Sequence, residues 1–394
     1  MSGFLECFWV ALKLGLSAFG GPVAHLGYFR EVYVERCKWL SEGRYAELVA
    51  LTQFLPGPGS SQLGAAIGYH RAGWFGGFAA WLGFTLPSAL AMIAFAVGLA
   101  NIQGALGMGW LHGLKLAAIA VVIVATVGMR SKLCPRWPEM LLAVFALIAV
   151  TLLPWAWVAP VAILLGGVAG VLMFSSSTEL SGNADETGGK LPLRGTVIAA
   201  VVMIALLSIP WLAPGNKDLR ATGDLLQAGS LVFGGGHVVL PLLEAGTVDQ
   251  GLVDKSTFLG GYGAAQAVPG PLFTFGGFLG AAMGLFGNPW LGGLVGLVAV
   301  FLPGMVLLAG ALPVWNRLKH FRWARSGVRG ANATVVGVLA AALLGMLRGG
   351  TIESWLDVAL VIAFTLIILK KWIPVWAVVV IAACLAGTTS LLNL

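Results

Sequence analysis

Long apolar stretches recur along the whole chain and are separated by short polar loops, a pattern that predicts membrane-spanning helices. These stretches lack the strict alternation of polar and apolar residues that a membrane β-barrel needs. We therefore predict an all-α polytopic membrane protein with broken helices and about 13 transmembrane spans. The predicted spans are residues 4–27, 45–69, 73–100, 110–130, 139–153, 155–174, 195–213, 221–246, 257–286, 289–313, 328–348, 354–370 and 372–392.

The chain carries one series of helix-interrupting motifs twice, at offsets of 213 to 217 residues. The first copy reads Phe19-Gly20-Gly21, Gln53-x-x-Pro56-Gly57-Pro58, Leu86-Pro87 and Gly128-Met129. The second copy reads Phe233-Gly234-Gly235, Gln266-x-x-Pro269-Gly270-Pro271, Leu302-Pro303 and Gly345-Met346. This duplication predicts two homologous six-helix repeats, 1–174 and 220–394, joined by a polar linker and connecting helix at 175–219. Because the second repeat begins seven crossings after the first, an odd number, we expect the repeats to be inverted.

The distribution of basic residues between the loops favours a cytoplasmic N-terminus. With that orientation, 14 lysine and arginine residues lie in cytoplasmic loops and 7 on the other side. Four of those seven fall in the loop 30–44, which is unfavourable for a loop on the outside. An interfacial segment at this loop, or re-entrant first and second spans, would change the crossing count, and both alternatives stay open.

The Pro-Gly-Pro motifs predict breaks inside two of the spans, because proline and glycine interrupt an α-helix. Within a bilayer, broken backbone is tolerated where it is buried in protein or lines a polar cavity. A half-helix starting after Pro58 would present free N–H groups and the positive end of its dipole, with hydroxyl groups from Ser60 and Ser61 beside them. We predict that this break and its counterpart, Pro269 to Thr274, form an oxyanion site near the midplane. The alternative is a simple kink.

The candidate substrate-binding residues come from the Pro-Gly-Pro breaks and the glutamines before them, from the glycine breaks, and from one lysine inside the first span. They are Lys13, Gly20, Gly21, Gln53, Pro56, Gly57, Pro58, Gly59, Ser60, Ser61, Gly234, Gly235, Gln266, Pro269, Gly270, Pro271 and Thr274. The candidate coupling residues are His25, His237, Lys115 and Glu244. A charged group inside a membrane span suggests a function, although ordinary packing or interfacial roles are the alternative for each.

Several kinds of function are disfavoured by motifs that the chain lacks. It has no Walker A motif for ATP hydrolysis, no Rossmann or serine-hydrolase motif, and no metal-ligand spacing among its four cysteines. The net charge of +7 resides mostly in membrane loops, so it does not indicate nucleic-acid binding. We therefore expect neither enzyme activity nor a bound cofactor, metal or nucleic acid. We do expect membrane lipid to surround the chain. The oligomeric state, a homodimer included, stays open.

Phe19-Gly20-Gly21-Pro22, Trp39-Leu40-Ser41 and the two Pro-Gly-Pro blocks resemble the chromate ion transporter family in its fused, two-domain form. The resemblance extends over nearly the full chain. It implies a secondary transporter of the inner membrane that expels chromate, driven by the membrane potential or a proton gradient, and so gives chromate resistance. Sulfate, another tetrahedral oxyanion, is an alternative substrate, and an anion channel is an alternative mechanism.

Overall fold

The fold is taken from a computed structural model that describes residues 3–106, 109–153, 155, 157–174, 193–212, 215–233, 236–315 and 321–391. The α-helices in these residues are α1 Gly3–Ser17, α2 Gly21–Phe29, α3 Glu42–Phe54, α4 Gly59–Leu106, α5 Gly109–Leu133, α6 Trp137–Leu152, α7 Val158–Phe174, α8 Leu193–Leu212, α9 Lys217–Ser230, α10 Val239–Thr247, α11 Lys255–Ala267, α12 Phe275–Ala282, α13 Pro289–Ala311, α14 Arg322–Arg348, α15 Trp355–Leu369 and α16 Val375–Leu391. Four stretches in the described part are long and apolar enough to cross a membrane, namely Gly59–Leu99, Gly109–Leu133, Pro289–Val314 and Arg322–Arg348. The predicted all-α membrane class is confirmed.

The first two predicted spans, 4–27 and 45–69, are each divided into two short helices. α1 ends at Ser17 and α2 begins at Gly21, while α3 ends at Phe54 and α4 begins at Gly59. Backbone angles at Ala72 and Gly73 break α4 again, into α4a (59–71) and α4b (74–106). α1, α2 and α3 have 15, 9 and 13 residues. At 1.5 Å per residue each is shorter than the hydrocarbon core of roughly 30 Å.

These short helices form two hairpins whose outer ends meet at one surface, which we call the N-terminal face. Arg71, at the end of α4a, forms an ion pair with Glu6 near the start of α1, with a nitrogen–oxygen distance of 3.0 Å. The Arg71 guanidinium also lies 5.5 Å from the ring centroid of Trp39, which follows the π-helical continuation of α2. The start of α1, the end of the π-helical continuation of α2 and the end of α4a therefore lie together. Each helix break lies at the other, inner end of its hairpin.

The second half repeats this succession of elements, with the corresponding outer ends at a second surface, the opposite face. Its hairpins are α9 with α10 and α11 with α12. The Phe286 N–H, beyond α12, donates to Asp218 Oδ2 near the start of α9 at 3.0 Å. Lys255 Nζ, at the start of α11, lies 3.5 Å from Glu244 Oε1 in α10. The predicted linker residues 175–192 lie outside the described part of the chain.

The long helices run between the two faces. α4b leaves the N-terminal face and α5 returns beside it, with the rings of Phe95 and Trp110 5.9 Å apart. α14 runs in the opposite sense to α5, and the Gly345 carbonyl near its end accepts a hydrogen bond of 3.0 Å from Lys255 Nζ at the opposite face. The end of α5 and the start of α14 consequently lie near each other at the N-terminal face.

The breaks of the two halves meet in the centre through two reciprocal backbone hydrogen bonds. The Gly57 N–H donates to the Val232 carbonyl at 2.7 Å, and the Gly270 N–H donates to the Ala18 carbonyl at 2.9 Å. Gly57 and Gly270 are counterparts in the repeat, and Ala18 and Val232 are counterparts at the glycine breaks. Each Pro-Gly-Pro motif is therefore bonded to the glycine break of the other half.

Glycine is required at both positions by backbone conformation and by space. The φ angles are 119° at Gly57 and 99° at Gly270, in the region that disfavours side chains. A Cβ atom at Gly57 would lie 2.9 Å from the Gly304 Cα atom, and one at Gly270 would lie 2.8 Å from Ser88 Oγ. Gly304 and Ser88 are themselves counterparts in α13 and α4b, so the packing at the centre is reciprocal too.

We predict that Gly57→Ala lowers the free energy of unfolding by about 1–3 kcal/mol, the usual cost of a strained backbone conformation, because the backbone of α13 cannot yield. Gly270→Ala should cost less, since the Ser88 side chain can rotate away. Gly43→Ala is the matched control, because no atom lies within 4 Å of a Cβ built there. Thermal unfolding in detergent measures all three, and equal midpoints for the variants at 57 and 43 would contradict the prediction.

Candidate functional site

A cavity of about 300 Å³, which we call the inner cavity, lies where the first-half breaks face the glycine break of the second half. It is bordered by the ends of α3 and α5 and by the start of α4a. Its lining residues are Gly20, Thr52, Gln53, Leu55, Gly57, Gly59, Ala125, Gly128, Met129, Lys132, Leu133, Val232, Gly236 and His237. Three separate predicted features, two breaks and one histidine, therefore meet around one space.

A larger cavity of about 580 Å³, the basic vestibule, lies between α3 and α14 at the N-terminal face. Its lining residues are Ala50, Gln53, Phe54, Lys132, Leu133, Pro135, Arg136, Arg325, Val328, Arg329 and Asn332. Gln53, Lys132 and Leu133 line both cavities, so the two adjoin. The basic vestibule therefore lies between the N-terminal face and the helix breaks.

The charges that line the vestibule are all positive. Arg329 forms an ion pair with Glu139, whose side chain is fully buried, so this pair is close to neutral. Arg136 and Lys132 are exposed, and the Nε atom of Arg325 is buried without a hydrogen-bond partner among the described residues. A cleft lined by one sign of charge concentrates ligands of the other sign, so the vestibule favours anions.

The inner cavity receives hydrogen-bond donors from the start of α4a. The first backbone bond of that helix is donated by the Gln62 N–H to the Pro58 carbonyl, so the N–H groups of Gly59, Ser60 and Ser61 have no partner within the helix. The Gly57 N–H, before this first turn, is not available to a ligand, because it already bonds to the Val232 carbonyl. An oxyanion at Gly59 would therefore meet the helix N-terminus and the Lys132 ammonium, not the centre of the Pro-Gly-Pro motif.

Five of the predicted site residues line the inner cavity, namely Gly20, Gln53, Gly57, Gly59 and His237. His237 Nδ1 shares a hydrogen bond of 2.8 Å with the Tyr262 hydroxyl. Gly21, Pro56, Pro58, Ser60 and Ser61 are chain neighbours of the lining residues and are not in the lining themselves. The Ser61 hydroxyl is buried without a hydrogen-bond partner among the described residues.

The second Pro-Gly-Pro break lies apart from the inner cavity. Gln266, Pro269, Gly270, Pro271 and Thr274 are absent from its lining, and the Thr274 hydroxyl donates to the Pro271 carbonyl at 2.9 Å. Each Pro-Gly-Pro break is bonded to the glycine break of the other half.

The remaining predicted residues lie elsewhere or are not described. Lys13 is exposed on α1 and lies outside the lining of both cavities. His25 is buried, with Nε2 3.2 Å from the Ala18 carbonyl. Lys115 is half-buried in α5, and Glu244 pairs with Lys255. Gly234 and Gly235 lie outside the described residues.

Sequence reasoning missed Lys132, Arg136 and Arg325, which it treated only as loop charges that set membrane orientation. A signal for Lys132 was nevertheless present in the repeat. Gly128 and Met129 form a duplicated motif without an assigned role, and both line the inner cavity one turn before Lys132.

Comparison with known proteins identifies the family. The family model for chromate transporters matches residues 5–171 and 219–388, most of the chain in two segments. The chain belongs to the chromate transporter family. The two matched segments fit the fused, long-chain form of this transporter family, in which two homologous units lie in one polypeptide.

Named relatives align with most of the chain. A chromate transport protein of Pseudomonas aeruginosa is 30% identical, with 85% of this chain and 79% of the relative aligned. A chromate transport protein of Cupriavidus metallidurans is 27% identical, with coverages of 92% and 86%. An uncharacterized transporter of Methanocaldococcus jannaschii is 26% identical, with coverages of 93% and 90%. No solved structure matches the chain.

We predict that Lys132→Gln raises the anion concentration needed for half-maximal transport about tenfold, because the loss of an ion–ligand interaction of about 1.4 kcal/mol weakens binding by that factor. Lys132→Arg should have a smaller effect, since the charge remains in a different shape. Lys13→Gln is the informative comparison, because the sequence pattern selects Lys13 and the cavity geometry selects Lys132. Transport in vesicles, normalised to the amount of inserted protein, decides between them.

Proposed function

We propose that the protein is a secondary active transporter that exports chromate across the inner membrane and so confers chromate resistance. The observation that carries this proposal is a basic vestibule that leads to unpaired helix N–H groups at a membrane break, in a chromate transporter family member. Lys132, Arg136 and Arg325 would attract the dianion electrostatically. The N–H groups at Gly59 to Ser61 would then bind its oxygens, and hydrogen bonds to a charged acceptor contribute about 1.5–3 kcal/mol each.

The membrane potential supports export of such a substrate. Moving one charge through 100 mV corresponds to about 2.3 kcal/mol, and expulsion of a dianion at an inside-negative potential is favoured by about twice that. A proton gradient could contribute through a titratable group in the pathway. His237 is the one among the four proposed coupling residues that lines the inner cavity.

We propose further that the four helix hairpins are re-entrant and do not cross the membrane. The contacts at the N-terminal face support this, since both first-half hairpins return to Glu6, Trp39 and Arg71. The crossings are then α4b to α8 and α13 to α16. α13 is the fifth crossing after α4b, again an odd offset, so the two repeats are inverted in this topology as well.

The distribution of basic residues supports the re-entrant topology and a cytoplasmic N-terminal face. Relative to the count with 13 spans, the cytoplasmic side gains the four basic residues of the loop 30–44 and loses Lys255. The distribution changes from 14 against 7 to 17 against 4, and the loop that was unfavourable becomes favourable. The basic vestibule would then open to the cytoplasm, where an exporter must collect its substrate.

We predict that purified protein in lipid vesicles carries chromate with a saturable rate that increases with an imposed potential of the expected sign. Sulfate should compete if the site recognises tetrahedral dianions in general. Vesicles without the protein are the control for leak. Sulfate flux exceeding chromate flux would make this member a sulfate transporter, and a flux that never saturates would indicate a channel.

We predict opposite sidedness for two single cysteines in a variant without the four native cysteines. Gly43→Cys, between the two first-half hairpins, should react with a membrane-impermeant maleimide only from the cytoplasm. Gln250→Cys, between the two second-half hairpins, should react only from outside. Intact cells and inverted vesicles provide the two orientations. The 13-span topology requires the reverse for both positions, so either pattern is decisive.

A further inference from the structure

The two halves differ in one contact between helices. At the opposite face α11 packs directly on α5, where Gly260 contacts the Leu111 side chain and Gly263 contacts the Leu114 backbone. The counterpart helices at the N-terminal face, α3 and α14, are separated by the basic vestibule. Ala50, the counterpart of Gly263, lines that vestibule and does not pack on α14. The two counterpart contacts therefore differ, because α3 and α14 are separated at the N-terminal face whereas α11 and α5 form a closed contact at the opposite face. A separate cavity of about 610 Å³ at the opposite face lies between α9 and α10 and is bordered by Trp155, Trp157 and Pro210.

The closed contact contains counterparts of the residues that line the vestibule. Gln266 corresponds to Gln53 and Lys115 corresponds to Asn332. In the present structure the Gln266 Nε2 atom is buried without a hydrogen-bond partner among the described residues. Lys115 is half-buried and forms no ion pair with any described residue. The buried, unpaired amide of Gln266 on the packed helix suggests that this contact also exists in an open form, in which the amide meets water or a ligand.

Two side-chain contacts between the halves occur at counterpart positions of the repeat. Arg329 in α14 binds Glu139 at the start of α6. Its counterpart His112 in α5 lies with Nε2 2.9 Å from Asp357 Oδ1 at the start of α15. These pairs join corresponding helices in both halves, so the scaffold around the closed contact matches the scaffold around the open vestibule.

We propose that α11 separates from α5 while α3 closes on α14, which creates a second vestibule at the opposite face where Lys115, Gln266 and His112 bind the oxyanion. This inference rests on the proposed transport function. In an exchange between two inverted halves, each half adopts the conformation that the other has left. The second vestibule is thus the counterpart of the first and provides the exit of the same pathway.

The chemistry of the second vestibule fits a tetrahedral oxyanion. Lys115 supplies an ammonium group and Gln266 an amide donor. The one buried carboxylate beside them, Asp357, is already occupied, because its Oδ2 accepts the N–H groups of Glu353 and Ser354 at 2.9 and 3.0 Å. Glu353 is exposed and lies 3.9 Å from His112 Nδ1. Both carboxylates beside His112 are therefore either hydrogen-bonded or exposed.

The test uses engineered disulfides that hold either face closed, in a variant without native cysteines. Glu47 and Val328 are the counterparts of Gly260 and Leu111 in the repeat. Oxidation of the double variant Glu47→Cys with Val328→Cys should therefore form a disulfide only if α3 closes on α14. Gly260→Cys with Leu111→Cys is the matched control, which fixes the conformation seen here. A third cysteine, Gln266→Cys, reports access from the opposite face by its reaction with an impermeant maleimide.

We predict that the first disulfide accelerates labelling of Gln266→Cys from the opposite face at least about tenfold, because the reaction rate follows the population of the open form. The control disulfide should not accelerate it. Chromate, but not chloride at equal ionic strength, should slow the reaction in the first case. Gln250→Cys, exposed in both conformations, should react equally throughout.

Two results would overturn the inference while leaving the proposed function intact. One is that the protein transports chromate although neither engineered disulfide ever forms. The two cysteine pairs in question are Glu47→Cys with Val328→Cys and Ala50→Cys with Val328→Cys. The other result is formation of either disulfide without any increase in labelling of Gln266→Cys. Absence of chromate transport, together with no chromate protection of Gln53→Cys in the first vestibule, would refute the proposed function itself.

Discussion

Two backbone hydrogen bonds, one from each Pro-Gly-Pro motif to the other half, are the contacts on which the rest of the structure depends. Each motif contains two prolines without an N–H group, so glycine supplies its only backbone donor. In hydrocarbon an unpaired N–H group costs several kcal/mol, and water is not available to satisfy it. The carbonyl at the glycine break of the partner half removes this cost. Each break is therefore satisfied by the other half, and these two bonds hold the halves together at the centre.

The same constraint determines where an anion can bind. Because Gly57 and Gly270 donate to each other's halves, their N–H groups are unavailable to a ligand. The free donors are instead the N–H groups at the first turn of α4a. The cation that lines the same cavity is Lys132, at the end of α5. In the proposed site the anion therefore lies beside the central hydrogen bonds.

The sequence predicted the helix breaks and their duplication, but not which breaks bond to each other or the direction of the chain after each break. Proline and glycine interrupt a helix whether the chain continues across the bilayer or turns back, and the apolar pattern of 4–27 is the same in both cases. The direction depends on contacts between distant residues, such as Arg71 with Glu6. The loop 30–44 was the one indication in the sequence that the chain turns back. Its four basic residues would lie outside the cell with 13 crossings, which is unfavourable. Lys132 was missed for a similar reason, because only the fold brings the end of α5 to the breaks.

Differences between counterpart residues give the two faces of the proposed exporter different charge. Lys132 and Arg136 at the basic vestibule correspond to Gly349 and Ser354 at the opposite face, and Lys255 beside Gly349 pairs with Glu244. Such asymmetry cannot drive net transport, because a carrier without an energy source only equilibrates its substrate. It does determine the affinity at each face. In the proposed orientation, more fixed cations at the cytoplasmic side would allow a scarce dianion to be captured there, and fewer at the exit would allow it to leave, while the membrane potential would supply the free energy.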